Sequence, residues 1–142
     1  MKKEETRNKK QSARGVALAA VLVIALTTAI GAQSMRAVPR VTIDELKTLM
    51  AQRAVVIIDV RRPDEFAQGR IPGAININYT DIMGEFERFT AEKRAIVTYC
   101  ACTNETTAAR AAVDLAARGV AGVKALKGGW NEWLERRESI EK

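Results

Sequence analysis

Two short runs constrain the fold of this chain more than any other feature: Val55-Val56-Ile57-Ile58-Asp59 and Ala95-Ile96-Val97-Thr98-Tyr99. The first is apolar at four consecutive positions. It lacks the alternation of a strand with one wet face, as a parallel strand covered on both sides does. The second reads as a central strand. Helix signals fall between these runs and further strand signals. Val38 to Val41 predicts a short strand, and Thr42-Ile43-Asp44-Glu45 is a capping box that opens a helix through Met50. Pro63 to Gln68 predicts a helical turn ended by Gly69, Ile75 to Ile77 a strand, and Asp81 to Phe89 a helix. Thr106 to Arg118 is an alanine-rich helix stopped by Gly119, with Arg110, Asp114 and Arg118 spaced as a solvated ladder of ion pairs. Val123 to Leu126 predicts a last strand, Gly128-Gly129 a turn, and Trp130 onward a closing helix. The implied fold class is α/β, an open, mostly parallel sheet flanked by helices.

Ahead of this pattern lies a different kind of segment. Gly15 to Met35 carries no charge, and as a helix it would be about 31 Å long, close to the hydrocarbon thickness of a bilayer. Six basic residues precede it, while Arg36 and Arg40 follow closely, so the positive-inside rule puts the N-terminus in the cytoplasm and the rest of the chain outside. A cleaved secretory signal is the competing reading, with Ala29-Ile30-Gly31-Ala32 as the small-residue cut site and a secreted or periplasmic product. Ile30 fits badly before such a cut, which favours an uncleaved, single-pass anchor. The expected organisation is a basic cytoplasmic tail over residues 1–14, a membrane anchor over 15–35 and a globular domain over 36–142.

The formal net charge of +6 suggests a polyanion partner until it is divided along the chain. Residues 1–32 hold six basic and two acidic residues; the remaining 17 basic and 15 acidic residues leave the globular part nearly balanced. Nucleic-acid binding is not expected. The chain has no histidine, which removes Ser-His, Cys-His and histidine-ligated metal chemistry. Its two cysteines, Cys100 and Cys102, are too few for a structural zinc site. No metal and no cofactor are expected.

Chemistry concentrates where the strand Ala95–Tyr99 gives way to the next helix. Cys100 would stand at the carboxyl edge of a parallel strand, where α/β folds place their sites. The loop Ala101-Cys102-Thr103-Asn104-Glu105 must curl back before Thr106, and its N–H groups, with the first of the helix, form a cradle for negative charge. Such a cradle favours thiolate over thiol, and a thiolate needs no neighbouring base to attack a soft electrophile. An inert buried cysteine would occupy the same place, and position alone does not separate the two.

Several separated motifs resemble a rhodanese-like (sulfurtransferase) domain. Asp59-Val60-Arg61, Glu65-Phe66 and Gly69-Arg70-Ile71-Pro72-Gly73-Ala74-Ile75-Asn76-Ile77 look like that family's D-V-R, E-[FY] and G-[HR]-I-P-G-A-x-[NH]-[IV] signature. Tyr99-Cys100 with its short loop is similar to the active-site segment, and Gly128-Gly129-Trp130 with Trp133 to the closing G-G-x-x-x-W element. The resemblance spans residues 38–138. It implies that Cys100 takes a sulfane sulfur from a donor, holds it as a persulfide in the cradle of Ala101, Cys102, Thr103, Asn104, Glu105 and Thr106, and passes it to a thiol or other nucleophilic acceptor. Thr106 would donate to the sulfur or cap the helix. Asp59 and Arg61 match supporting positions, where a structural ion pair is expected.

Two departures bear on the substrate. The loop has Glu105 and no basic residue, so a negative charge at the mouth would repel thiosulfate and favour persulfides of small thiols or proteins. Cys102 could close a short disulfide with Cys100 in an oxidising compartment, though a free Cys102 is the expectation. Three alternatives stand beside sulfur transfer: a silent rhodanese-fold module that binds a protein partner, a thiol–disulfide redox protein using Cys100 and Cys102, and a phosphatase. The last lacks the Cys-x₅-Arg clamp, since Thr106 stands where the arginine would be. Arg53, Arg61, Arg62 and Arg70 either frame the site or form a solvated rim.

Overall fold

The computed structural model describes residues 38–142. The basic tail and the uncharged run over 15–35 lie outside the described residues. Among the described residues no helix is long and apolar enough to cross a membrane. Five strands form one sheet: β1 (Arg40–Val41), β2 (Val55–Asp59), β3 (Ile75–Asn76), β4 (Ala95–Tyr99) and β5 (Val123–Leu126). Their order is β1-β5-β4-β2-β3, and every pairing is parallel. The two unalternating runs, β2 and β4, pair in register from Val55 opposite Ala95 to Asp59 opposite Tyr99. Among the described residues four α-helices connect and cover the strands: α1 (Ile43–Ala51), α2 (Pro63–Gln68), α3 (Thr106–Ala117) and α4 (Gly129–Glu135).

Both faces of the sheet are buried, as the runs require. Ile58, Ile96, Ala108, Ala111, Ala112 and Leu115 share the core on the α3 side. Ile57, Val97, Tyr99, Leu46, Trp130 and Trp133 share the opposite core. Alanines on the inner face of α3 let that helix approach closely, and the buried Thr98 hydroxyl donates to the Ala108 carbonyl (2.8 Å), pinning the helix to β4. The capping box of α1 forms in both directions, Glu45 N–H to Thr42 Oγ1 and Thr42 N–H to the Glu45 carboxylate.

Three local expectations are corrected. The first strand is two residues, not four. Residues Asp81 to Phe89 make two 3₁₀ turns, Ile82–Gly84 and Phe86–Phe89, in place of a helix. Gly84 sits in the middle of that stretch and weakens an α-helix there by about 1 kcal/mol. The ladder on α3 does not form: Asp114 accepts the Tyr79 hydroxyl (3.1 Å), and Arg118 lies over the Phe86 ring.

The last residues of the chain pack against the loop between α2 and β3. Arg70 and Glu141 exchange both backbone hydrogen bonds (2.9 and 3.0 Å). The Glu141 carboxylate accepts the Gly73 N–H (2.9 Å) and the Arg70 guanidinium (2.6 Å), which hold its pKa below the ordinary 4.5. A depressed carboxylate stabilises above its unfolded pKa, and that contribution is lost as pH falls through the folded value. Acidification below 4.5 is therefore expected to lower hydrogen-exchange protection at the Arg70 and Glu141 amides before the core amides of β4 respond. Simultaneous loss in both places would show that this contact is not separately titrated.

Candidate functional site

Cys100 is the first residue past β4, at the carboxyl edge of the central strand. It is buried, and its carbonyl accepts the N–H of Trp130 (2.9 Å) from the first turn of α4. That contact depends on Gly129. A Cβ there would fall on the Cys100 carbonyl oxygen, and the residue has a positive φ of 52°. The Ala101 carbonyl accepts the Asn131 side-chain amide (3.0 Å), so α4 holds the start of the loop at two points.

Beyond Cys102 the backbone turns sharply. Asn104 and Glu105 are both left-handed (φ 59° and 51°), and the Glu105 N–H closes onto the Cys102 carbonyl (3.2 Å). Cys102 lies beside Cys100. The structure joins the two as a disulfide with Cα atoms 5.6 Å apart, which corrects the expectation of a free Cys102. The Thr107 N–H, in the first turn of α3, donates to Cys102 Sγ (3.3 Å). The positive end of a 12-residue helix thus faces this sulfur.

An open cavity of about 400 Å³ lies over the disulfide. Cys100, Ala101 and Cys102 form part of its wall, with Arg62, Asn78 and Tyr79 among the residues across from them. Of the expected cradle residues, Ala101 and Cys102 line this cavity. Thr103, Asn104, Glu105 and Thr106 are absent from the cavity wall, and the Thr106 hydroxyl donates to the Thr103 carbonyl (3.3 Å), not to a sulfur or as a helix cap. Glu105 turns away from the mouth. Its carboxylate accepts the Gly128 N–H (2.6 Å) and pairs with Arg40 (3.6 Å). The charge expected to repel an anionic donor is therefore spent on holding the β5–α4 turn. Of the four arginines considered, Arg61 and Arg62 reach the cavity; Arg70 pairs with Glu141, and Arg53 precedes β2 at the opposite edge of the sheet.

Asp59 and Arg61 form a buried bidentate ion pair, with Nε contacting both carboxylate oxygens at 3.0 Å. Arg61 Nη2 also donates to the Gly69 carbonyl (2.7 Å), and the guanidinium lies 4.4 Å over the Trp130 ring. Burial works against the Arg61 charge, but Asp59 outweighs it and raises the pKa above its ordinary value. Tyr99 accepts the Ile71 N–H (3.2 Å); burial and then the Asp59 carboxylate push its phenol well above its usual range. The tyrosine is thus held neutral beside the pair. Asn78, Tyr79 and Thr107 were not singled out from the sequence, although Asn78 and Tyr79 lie two and three residues past the carboxyl end of β3, the signal that could have found them.

In its disulfide state this arrangement can accept a thiol. Once reduced, it presents two thiols to a solvent-open cavity, one of them beside a helix N-terminus. The chemistry open to it is therefore thiolate chemistry on sulfur.

Comparison with known proteins fits this geometry. The family model described as a rhodanese-like domain matches residues 42–136. Uncharacterized protein YqhL of Bacillus subtilis (strain 168) is 33% identical over 92 residues, covering 65% of this chain and 71% of that protein. Among solved structures, the human single-domain sulfurtransferase TSTD1 superposes with a TM-score of 0.60 at 29% identity, over 71% of this chain and 98% of that one. The thiosulfate sulfurtransferase of Pseudomonas aeruginosa gives a TM-score of 0.66 at 26% identity, over 75% of this chain but only 20% of that one. With its strand order, its cysteine-bearing turn and a match to two thirds of its length, the chain belongs to the rhodanese-like domain family.

Proposed function

We propose that the domain is a sulfurtransferase that carries sulfane sulfur as a persulfide on Cys100. The observation that carries this reading is the setting of Cys100: a cysteine at the carboxyl end of the central strand, on the wall of an open cavity. Its likeness to two sulfurtransferase structures at 29% and 26% identity supports the same reading. The working form is the reduced one. The Cys100 thiolate attacks the sulfane sulfur of a donor R–S–S⁻; a Cys100–sulfur bond forms, the donor's S–S bond breaks, and RS⁻ leaves. With thiosulfate the leaving group is sulfite. A nucleophilic acceptor then takes the outer sulfur and returns Cys100 as thiolate. Because Glu105 is tied to Gly128 and Arg40, anionic donors are not turned away at the mouth. In this proposal residues 15–35 hold the domain at a membrane on its extracytoplasmic side, a compartment where disulfides persist.

The test is intact mass after reduction and exposure to thiosulfate or glutathione persulfide, in the full chain carrying Cys102→Ala so that no neighbouring thiol reacts with the product. A gain of about 32 Da, reversed by a thiol reductant and absent when Cys100→Ser is added, is the expected result. No gain with either donor, in a variant whose circular dichroism matches the parent's, rejects the proposal. The Cys100–Cys102 bond favours a second reading, a dithiol redox protein that never carries sulfur, and that absence of gain is what it predicts.

A further inference from the structure

Cys102 occupies a position that sulfur transfer through Cys100 alone does not need. It lies within bonding reach of Cys100 Sγ, and the loop that carries it is braced on both sides. Asn104 and Glu105 bend the backbone, and the Glu105 carboxylate is anchored on Gly128 and Arg40. Its sulfur also receives the Thr107 N–H at the start of α3. An N–H and a helix N-terminus stabilise a thiolate, so the reduced Cys102 is poised as a nucleophile and not as an inert filler. The two residues also differ in access: Cys100 is 4% exposed, whereas Cys102 is only partly buried.

Resting on the persulfide reading, we propose that Cys102 is a resolving thiol, and that the domain discharges sulfane sulfur as hydrosulfide. In the step, the Cys102 thiolate attacks Sγ of the Cys100 persulfide. A Cys100–Cys102 bond forms, the bond between Sγ and the outer sulfur breaks, and the outer sulfur leaves as HS⁻ with the persulfide's proton. The sulfane sulfur gains two electrons and the two cysteine thiols supply them. The product is the disulfide that the structure contains. An external dithiol, or two monothiols, then resets the pair. Cys102, the more exposed of the two residues, is the point of attack, and Cys100 leaves as the thiolate ready for the next donor. The activity is a thiol-dependent reduction of sulfane sulfur to sulfide, with thiosulfate or a thiol persulfide as substrate class.

The experiment follows sulfide and mass together in the full-length chain, reduced, freed of reductant and given one equivalent of glutathione persulfide, with controls for sulfide released by the donor alone. The wild-type chain is expected to release about one equivalent of sulfide and to lose about 2 Da, the mass of a closed disulfide. Cys102→Ala is expected to release less than about a tenth of that and to keep the added sulfur, about 32 Da. Cys100→Ser is expected to do neither. A wild-type chain that keeps the added sulfur without releasing sulfide overturns the resolving role while leaving the persulfide intact. A Cys102→Ala chain that gains no mass overturns the persulfide reading itself. If Cys102→Ala proves misfolded, Cys102→Ser serves as the second variant, since its hydroxyl keeps the acceptor for the Thr107 N–H and cannot form the disulfide.

Discussion

Replacing Asp59 by alanine is expected to lower the stability of the domain by about 3–5 kcal/mol, the usual range for removing one partner of a buried pair. The cause is the charge left behind. Arg61 is 7% exposed, and two of its guanidinium nitrogens point at the carboxylate that the substitution removes. The Arg61 main-chain N–H loses its acceptor as well, since it donates to Asp59 Oδ1 (2.9 Å). For a domain of about a hundred residues the loss corresponds to a fall in Tm of roughly 12–20 °C. The pair itself need not stabilise: desolvating two charges offsets most of their attraction. A double variant, Asp59→Leu with Arg61→Met, is therefore expected to recover a large part of the loss. Recovery will be incomplete, because the Gly69 carbonyl loses its donor and Trp130 the guanidinium over its ring. A fall of only a few degrees in the single variant would mean that water from the cavity reaches Arg61 and solvates it.

The sequence made some of this legible and hid the rest, and the dividing line is the range of the interaction. The strands β2 and β4, the capping box of α1 and the helix start at Pro63 are each written within a few neighbouring residues, and each stands where expected. Cys100 was placed at the strand end by the same local reasoning. What local reasoning missed depends on partners far along the chain. Glu105 faces Gly128, 23 residues away, because two successive left-handed residues turn it there. Asparagine at position 104 signals such a conformation, since its short polar side chain tolerates it; glutamate at 105 does not. Cys102 is closed onto Cys100, a pairing that the spacing of the two cysteines allows but does not require. Gly84 was the overlooked signal in the opposite sense: a glycine inside an expected helix, where the chain in fact breaks into two 3₁₀ turns.

Gly129 tests whether the site is built by α4 as much as by the cysteine loop, and three glycine-to-alanine substitutions separate the contributions. At Gly84 an added Cβ meets nothing within 4 Å and φ is ordinary, so Gly84→Ala is expected to change stability by less than about 1 kcal/mol. At Gly119 the space is equally open but φ is +85°, so Gly119→Ala isolates the cost of a left-handed backbone, about 1–2 kcal/mol. At Gly129 the same backbone cost is joined by a Cβ placed on the Cys100 carbonyl oxygen, where backbone and not a flexible side chain must yield. Forced overpacking adds about 1–3 kcal/mol, so Gly129→Ala is expected to cost roughly 2–5 kcal/mol in all. Relief requires the Cys100 carbonyl to move, which breaks its hydrogen bond from the Trp130 N–H and shifts the sulfur with it. Persulfide loading, measured in the Cys102→Ala chain at a temperature where the variant is still folded, is then expected to fall at least tenfold, about 1.4 kcal/mol of barrier. Gly119→Ala, though destabilised, should load normally because its strain lies at the far end of α3. If Gly129→Ala behaves like Gly119→Ala in both measurements, the contact between α4 and Cys100 is incidental, and the reactivity of the site must come from the loop and the start of α3 alone.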